Sequence, residues 1–431
     1  MLLVPDQPWE EGFSILVYSS VIKEDGKIRI WYDLYKRNEE NVYASLRRVG
    51  YAESEDGLHF TKPHLGLHEI DGSTANNIVL PGMIGGCSVW VDPRSAPEHR
   101  YKTQAKVYPS GEFHMHSSPD GLRWTLFSKP SPGRGGHDTQ SIVFWDKSID
   151  RYVLFTRSWT PKDKKPLYRR VRRMETDDLT TTWDSEQIVM APNEVDYAFH
   201  PIPDGQSPVD YYGACVFPYE ENPHVYIMLT QAFWTWNERA TFDVRLAFSR
   251  DGKDFQRVGG WSPFMGNGPD GSFDSRYVWA MPNPIRMGDE LWIYYVGSNR
   301  DHHSHIDPAT PGGKNLSGIS RAVLRLDGFV SADAGYKGGQ LTTPPIRFSG
   351  QRLELNVATS AAGSVEVELL DEQGLPIAGY TRDDAKVSYG NSVRMPVGWK
   401  LTDDVSKLAG SPVRLRFYLR DCKLYAFQFR E

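Results

Sequence analysis

A short turn motif recurs along the first three quarters of this 431-residue chain, and it constrains the fold more than any other feature. In the motif a small or polar residue is followed by Asp-Gly and, shortly after, by an aromatic residue. The copies occupy residues 54–60, 117–124, 176–183 in a degenerate form, 249–255 and 326–329. Asp-Gly favours hairpin turns because both residues tolerate positive φ. The turn aspartates lie 58 to 76 residues apart, which indicates five similar units.

Each unit is long enough for about four short strands, the size of one blade of a β-propeller. Strand-like alternation bounded by Gly, Pro, Asn and Asp occurs throughout, and long helical periodicity is hard to find. We therefore predict an all-β chain with a catalytic five-bladed β-propeller at residues 1–335. Beyond it the motif is lost while alternating strands continue, which predicts a β-sandwich accessory domain at residues 336–431. This domain would be a structural buttress or a sugar-binding module.

Composition excludes several classes of protein. The net charge is −6 and there is no basic block that could track phosphates, so nucleic acid is not an expected partner. There is no apolar run of about 18 residues, so a membrane is not expected either. The three cysteines are far apart and favour neither a disulfide framework nor a metal site. The 13 tryptophans and 22 tyrosines suit strand cores and also surfaces that stack on sugar rings.

Residues 1–9 lack the basic and apolar regions of a secretory signal. We expect a cytoplasmic protein, or an extracellular or periplasmic one if an export signal has been removed. No cofactor is expected, with a bound calcium ion as the alternative. The sequence does not indicate an oligomeric state.

In a propeller the inner strands converge on one channel, so the polar residues that precede them are candidates for a shared pocket. Several carboxylates around such an opening are what glycosidic cleavage requires, because one protonates the leaving oxygen and another attacks or activates water. Three carboxylates are predicted to be catalytic by position: Glu10, Asp138 and Asp274. The predicted substrate-binding residues are Glu11, His137, Arg157, Asp210, Tyr211, Arg276, Trp279 and His302.

Each of these groups has an alternative structural role. A carboxylate can cap a turn or pair with an arginine such as Arg157, Arg169 or Arg276. Asp92 follows its strand and is interpreted as a turn residue. The histidine-rich segment 299–305 is predicted to be a substrate-contacting loop, with a metal site as the alternative. Four tryptophans near loops are candidates either for stacking on sugars or for simple packing: Trp159, Trp234, Trp236 and Trp279.

Several segments together resemble a known family. They are Pro-Trp-Glu at 8–10, Val-Asp-Pro at 91–93 with 98–102, His-Asp-Thr-Gln at 137–140 with 144–146, and residues 246–252 and 324–331. Over nearly the whole chain they look like bacterial proteins related to the N-terminal domain of glycoside hydrolase family 32. The resemblance implies a five-bladed propeller with a β-sandwich, in a wider group with families 43, 62 and 68. Many members of that group act on furanosides such as fructans and arabinans.

The chain departs from family 32 at the catalytic motifs. The Trp-Met-Asn-Asp-Pro-Asn-Gly, Arg-Asp-Pro and Glu-Cys motifs are absent, so no catalytic triad is carried over. Our leading hypothesis is a glycoside hydrolase that uses paired carboxylates on a plant or microbial glycan, with Asp138 and Glu10 as first choices. The alternatives are a non-catalytic glycan-binding propeller and a glycoside phosphorylase. The phosphorylase would need cations for phosphate, for which Arg157, Arg169, Arg170 and Arg276 are candidates.

Overall fold

A computed structural model describes residues 1–38, 40, 45–82, 84–107, 110–130, 138–161, 163, 167–197, 209–220, 222–235 and 240–431. Contacts between residues divide the chain into two compact units. Unit 1 comprises Met1–Ile285 and Ile293–Ala322, and unit 2 comprises Arg286–Trp292 and Val323–Glu431. The chain is nearly all β, which confirms the predicted class.

Three sheets, each of four antiparallel strands in chain order, are seen in the described part of unit 1. The first contains β1 (Ser14–Glu24), β2 (Lys27–Lys36), β3 (Leu46–Ser54) and β4 (Ile78–Pro81). The second contains β5 (Ile84–Val91), β6 (Tyr101–Val107), β7 (Phe113–Ser118) and β8 (Thr125–Ser128). The third contains β9 (Ile142–Asp146), β10 (Arg151–Trp159), β11 (Arg169–Thr176) and β12 (Asp184–Met190).

Eight more strands form one hydrogen-bonded sheet made of two groups. The first group runs in chain order through β13 (Val209–Tyr219), β14 (Asn222–Trp234), β15 (Thr241–Ser249) and β16 (Gln256–Arg257). The second group contains β17 (Tyr277–Ala280), β18 (Ile285–Met287), β19 (Glu290–Ser298) and β20 (Ser317–Arg325), with β19 paired to the other three. A single parallel bridge, Phe242 to Tyr277, joins the groups.

Unit 2 holds a sheet in the order β21-β25-β23-β24, with β22 also paired to β25. Its strands are β21 (Ala332–Ala334), β22 (Gly339–Thr342), β23 (Arg352–Leu370), β24 (Asn391–Pro396) and β25 (Arg414–Arg430). Its core surrounds Trp399, whose indole N–H donates to the Val367 carbonyl at 3.0 Å. The predicted boundary at residue 335 falls later than the contact boundary, because β21 already pairs with β25.

Helical structure in the described residues is confined to short segments. One α-helix, α1, spans Glu194–Tyr197. The 3₁₀ turns are Pro8–Glu10, Pro97–His99, Gly259–Trp261, Pro311–Gly313, Arg382–Asp384 and Ser406–Leu408. None of these helices has the length and apolarity needed to cross a membrane.

The recurrent Asp-Gly motif forms a turn stabilised by its own side chains. Asp56 Oδ1 accepts the backbone N–H groups of Leu58 and His59 at 2.8 and 2.9 Å. Ser54 Oγ accepts the N–H of Gly57, which has a φ of 73°. The two aspartate bonds recur at the second and fourth copies of the motif. At these three copies the motif is therefore local turn chemistry, since its side chains satisfy nearby backbone donors.

The first strands of successive sheets contact one another: β1 with β5, β5 with β9, and β9 with β13. The side chain of Gln140, just before β9, forms hydrogen bonds with two of these first strands and with β17. Its amide nitrogen donates to the carbonyls of Ser19 and Cys87 at 2.8 and 3.3 Å. Its amide oxygen accepts the indole N–H of Trp279 at 3.2 Å. The neighbouring Thr139 hydroxyl donates to the Tyr212 carbonyl at 3.0 Å, so these two side chains reach β1, β5, β13 and β17.

The N-terminal segment pairs with the last strand of unit 1. Leu3 forms an antiparallel bridge with Ile319 of β20, and their backbone bonds are 2.8 and 3.3 Å long. Ser317 Oγ also accepts the N–H of Ile15 in β1 at 3.0 Å. The two ends of unit 1 are therefore held together by backbone hydrogen bonds.

Replacement of the buried Gln140 by methionine tests its role as a tie between strands. Methionine has similar length but leaves two carbonyls and one indole N–H without their partner. Each orphaned buried group costs about 1–3 kcal/mol, so we expect Gln140→Met to lower the free energy of unfolding by about 3 kcal/mol. Urea denaturation followed by tryptophan fluorescence measures the change. The exposed Gln256 supplies the control, Gln256→Met, and equal stability of the two variants would contradict the expectation.

Candidate functional site

Unit 1 encloses a pocket of about 450 Å³. The residues around it come from the sheet β1–β4, the sheet β9–β12 and the eight-stranded sheet, together with loop residues such as Asp138 and Asn315. In the described part of the chain, the sheet β5–β8 contributes no lining residue.

An aromatic cluster forms one wall of the pocket. Trp279 is 1% exposed, and its ring lies 5.7 Å from Tyr18 and 5.9 Å from Tyr212, both edge to face. Phe242 stacks on Tyr277 at 4.6 Å. Such a wall suits the apolar face of a sugar ring. Burial raises the pKa values of Tyr18 and Tyr277 well above their ordinary value, so both stay neutral.

Cationic side chains outnumber anionic ones around the pocket. Five arginines line it in the described residues: Arg37, Arg47, Arg157, Arg169 and Arg300. Only two carboxylates line it in the same residues, Asp138 and Asp301. The charge of the pocket is therefore positive, although that of the chain is negative.

Arg157 and Arg169 approach the same ring from neighbouring strands. Arg157 pairs with Val171 and Arg169 with Trp159, so the two arginines are diagonal neighbours on one sheet face. Their guanidinium carbons lie 4.9 and 4.7 Å from the centre of the Tyr212 ring. Two like charges this close repel each other, and a bound anion would relieve that repulsion.

The two pocket carboxylates differ in their surroundings. Asp138 is 39% exposed at the side chain, and its Oδ2 lies 3.9 Å from Arg157 Nη2. Asp301 is buried and accepts the N–H of His305 at 2.8 Å, with the His305 ring nitrogen 3.2 Å away. Asp138 is thus the carboxylate open to a ligand, whereas Asp301 supports its own loop.

Two further aspartates lie behind pocket arginines. Asp210 accepts a bond from Arg169 at 2.5 Å, and Asp33 accepts one from Arg47 at 3.1 Å. Burial raises the pKa of Asp210, and Arg169 offsets part of the rise. Burial likewise raises the pKa of Asp33 to about 7, against the opposing effect of Arg47. Both arginines therefore have a counter-charge on the protein side.

His302 borders the pocket beside Tyr212. Its ring nitrogen lies 3.4 Å from the Tyr212 hydroxyl, and its backbone N–H donates to Ala240. Burial and the nearby Arg169 and Arg157 lower the pKa of His302 to about 4. His302 is therefore neutral near pH 7 and can bind a hydroxyl without carrying charge.

The structure brings four predicted site residues together at this pocket: Asp138, Arg157, Trp279 and His302. Asp210 lies one layer behind, through Arg169. Trp159, a predicted stacking candidate, also borders the pocket. His137 and Trp236 lie outside the described residues.

Glu10 does not line the pocket. It is 1% exposed, and its Oε1 accepts the Tyr32 hydroxyl at 2.6 Å. Its Oε2 accepts the backbone N–H groups of Asp6 and Gln7 at 3.0 and 3.1 Å. Lys62 Nζ also lies 2.5 Å from Oε2. These contacts use both oxygens to hold the entry of the chain into β1.

Asp274 and Arg276 also lie away from the pocket lining. Asp274 accepts bonds from the Ser272 and Tyr295 hydroxyls at 2.8 and 2.9 Å. Arg276 forms an ion pair with the buried Asp307 at 2.8 Å. Tyr295 and Asp307 come from later parts of the chain, so these contacts hold the segment that leads into β17 in place.

Tyr211 and Glu11 face elsewhere as well. The Tyr211 hydroxyl donates to the buried Asp196, on the face of β13 opposite to the pocket. Glu11 is exposed and contributes its carbonyl to Lys36. The alternation of side chains along a strand could have indicated Tyr212 instead of Tyr211 as the pocket residue. Asp210 and Tyr212 share one face of β13, and Tyr211 lies on the other.

Arg300, Asp301 and His302 bring the predicted substrate-contacting segment 299–305 to the pocket. Several pocket residues were not predicted, among them Tyr18, Arg37, Arg47 and Tyr212. Arg47 comes from β3, the third strand of its sheet, whereas the prediction centred on residues that precede first strands. In the described residues, no group of three or more His, Cys, Asp or Glu could hold a metal ion, and this includes the segment 299–305.

No protein-family model matches the chain, and no curated protein matches its sequence. Solved structures do match. The β-1,2-mannobiose phosphorylase from Listeria innocua, in complex with β-1,2-mannobiose, is 14% identical with a TM-score of 0.50 and covers 75% of this chain and 94% of its own. A glycoside hydrolase is 14% identical with a TM-score of 0.49, covering 75% and 90%. An N-acetylgalactosamine deacetylase from F. plautii, in complex with blood group B trisaccharide, is 15% identical with a TM-score of 0.48, covering 76% and 97%.

At 14% identity, the likeness to the phosphorylase concerns the fold of about three quarters of this chain. The chain therefore shares an all-β fold with a protein that is named for action on a glycoside. The narrower resemblance to family 32 stays a prediction.

The neutral state of His302 can be tested by NMR titration of protein labelled with ¹³C-histidine. We expect its imidazole signals to stay unchanged from pH 8 to 5, with a midpoint at about 4. The Asp138 carboxylate raises this pKa, so Asp138→Asn should move the midpoint lower still. The variant His302→Gln assigns the signal by its loss. A midpoint above about 6, close to the ordinary histidine value, would contradict the assignment.

Proposed function

We propose that the strands β1–β20 form a five-bladed β-propeller and that the pocket of unit 1 is the active site of an enzyme that cleaves a glycosidic bond. The blades would be β1–β4, β5–β8, β9–β12, β13–β16 and β17–β20, closed by the pairing of Leu3 with Ile319. We also propose that unit 2 is a β-sandwich accessory domain. The sheet orders, the contacts between first strands and the likeness in fold to the mannobiose phosphorylase support this assignment.

The arginine cluster is the observation that carries the reaction type. Arg157 is 5% exposed, and its Nε is buried without a hydrogen-bond partner among the described residues. The Nε of Arg169 is in the same condition, and so is that of Arg170, which does not line the pocket. What sets Arg157 and Arg169 apart is that both line the pocket and approach the Tyr212 ring. Buried guanidinium groups with unused donors are costly unless a ligand satisfies them. A phosphate would do so, because its oxygens match the planar donors of arginine.

We therefore infer a glycoside phosphorylase. Phosphate held by Arg157 and Arg169 would attack the anomeric carbon while the bond from that carbon to the glycosidic oxygen breaks. Asp138 would give its proton to the departing oxygen and be left as a carboxylate. The products would be a sugar 1-phosphate and the shortened glycan. The aromatic wall that contains Trp279 would pack beside the sugar ring, and neutral His302 would bind a hydroxyl.

Hydrolysis is the second candidate, since Asp138 and Asp301 both line the pocket. Hydrolysis needs a second carboxylate that activates water or attacks the sugar. Asp301 would take that role only by releasing its bonds to His305. Phosphorolysis needs no second carboxylate, because phosphate is itself the nucleophile.

Phosphate dependence distinguishes the two reactions. We expect a panel of oligosaccharides to give sugar 1-phosphate only in the presence of inorganic phosphate. Asp138→Asn should lower kcat about 100-fold or more, as expected for loss of a general acid. Arg157→Gln should raise the KM for phosphate by about tenfold or more, in line with the loss of a charged hydrogen bond. Arg170→Gln is the matched control, because Arg170 lies on the neighbouring strand β11, directly after Arg169, but does not line the pocket.

Three other results would redirect the assignment. Release of reducing sugar at equal rates with and without phosphate would favour the hydrolase. Glycan binding by wild type and Asp138→Asn without turnover would favour a binding propeller. Equal phosphate KM values for Arg157→Gln and Arg170→Gln would remove the proposed phosphate site.

A further inference from the structure

Asp33 and Arg47 form a pair that reaches from the interior of unit 1 to the pocket. Asp33 lies opposite Val49, and Tyr35 lies opposite Arg47, so Asp33 and Arg47 are diagonal neighbours on one face of β2 and β3. Arg47 Nη1 donates to Asp33 Oδ2 at 3.1 Å. The guanidinium carbon lies 4.9 Å from the Tyr35 ring, and Arg47 lines the pocket. The arginine therefore connects a buried carboxylate with the ligand space.

The carboxylate itself is only partly satisfied. The Asp33 side chain is 1% exposed, while that of Arg47 is 13% exposed. Oδ1 of Asp33 is buried without a hydrogen-bond partner in the described part of the chain. A buried, half-satisfied carboxylate is costly, and its protonated form is favoured once the neighbouring charge is drawn away. Asp33 is thus placed to respond to what Arg47 binds.

We propose that Asp33 is a positioning residue that holds Arg47 at the edge of the pocket. When an anion binds there, the contact between Arg47 and Asp33 is weakened in favour of the anion. This inference rests on the anion-binding part of the proposed function. It goes further by assigning the buried partner and by coupling anion binding to uptake of a proton at Asp33.

The sign of the coupling follows from the charges. Burial raises the pKa of Asp33 to about 7, and Arg47 opposes the rise. A bound anion weakens the electrostatic stabilisation of the Asp33 carboxylate by Arg47 and adds a negative charge nearby. Both effects raise the pKa of Asp33 further. The complex then holds more protons than the free protein near pH 7. Anion affinity must therefore increase as the pH falls through 7.

Other groups near Asp33 stay in one state over this range. Arg47 faces it from β3 and the Cys87 thiol from β5, while Tyr18 of β1 faces the same guanidinium. Burial raises the pKa of Cys87 to about 12 and that of Tyr18 well above its ordinary value, so both remain neutral. Asp210 accepts a hydrogen bond from Arg169 just as Asp33 does from Arg47, and burial raises its pKa as well. Asp210 therefore has to be tested beside Asp33.

Sulfate is the probe for the experiment, because its charge does not change between pH 5.5 and 8.5 whereas that of phosphate does. Isothermal titration calorimetry on the full chain would measure sulfate binding at constant ionic strength. For wild type we expect the Kd to rise about tenfold from pH 5.5 to 8.5, the change that a shift of one pKa unit produces. Asp33→Asn keeps an oxygen for Arg47 but no charge. It should bind with a Kd that is independent of pH and about tenfold lower than wild type at pH 8.5.

Asp210→Asn is the matched control, and it should keep the pH dependence of wild type. If Asp33→Asn keeps the dependence and Asp210→Asn loses it, the inference is overturned. Wild type also gives a test that needs no variant to fold. Titrations at pH 7 in buffers of different ionisation enthalpy should show uptake of part of a proton for each sulfate bound, and zero uptake contradicts the proposal.

These outcomes are separable from those for the proposed function. Sulfate binding that depends on pH through Asp33, without turnover of any glycan, would support the positioning role and remove the enzymatic proposal. Phosphate-dependent glycan cleavage with sulfate binding that is independent of pH would keep the enzyme and remove the role of Asp33.

Discussion

The hydrogen bonds of Thr139 and Gln140 are the interaction on which the rest of unit 1 depends. These two adjacent side chains reach backbone or side-chain groups on β1, β5, β13 and β17, and they directly precede β9. The same bond that ties the strands fixes the indole of Trp279 in the pocket wall. Asp138 directly precedes these two residues in the chain, so its position at the pocket is set by this tie. A pocket residue and the two residues that hold the strands together are therefore consecutive in the sequence.

Charge is the second constraint on the site. An apolar pocket wall lowers the local dielectric constant, which makes each unpaired arginine expensive and each bound anion more strongly held. The chain meets this cost with buried aspartates behind Arg47 and Arg169. Arg157 lies 3.9 Å from Asp138 and also interacts electrostatically with Asp210. The pocket is therefore preorganised to bind an anion. The buried aspartates offset part of the positive charge of its arginines in the folded protein.

Local sequence patterns predicted the class of fold and one side of the site, and long-range packing decided the rest. The Asp-Gly turns were predictable because their bonds lie within a few residues. Asp138 was placed correctly at the pocket because it directly precedes an inner strand. Glu10 has the same relation to β1, yet Lys62, which is remote in sequence, and a 3₁₀ turn enclose it. Arg47 was missed because only the pairing of β2 with β3 brings a third strand to the pocket.

The contrast between Glu10 and Asp138 bears on how chemistry is assigned to folds of this kind. Both carboxylates precede an inner strand, and position alone favours them equally. What separates them is exposure, since Glu10 is buried with both oxygens bonded, and a carboxylate in that state cannot accept a new proton or substrate without breaking the structure. Glu10 has four such bonds, whereas Asp138 lies partly exposed beside a cation. In the proposed reaction the remaining charge is supplied by the arginines, which is the reason for proposing an anionic nucleophile instead of a second carboxylate.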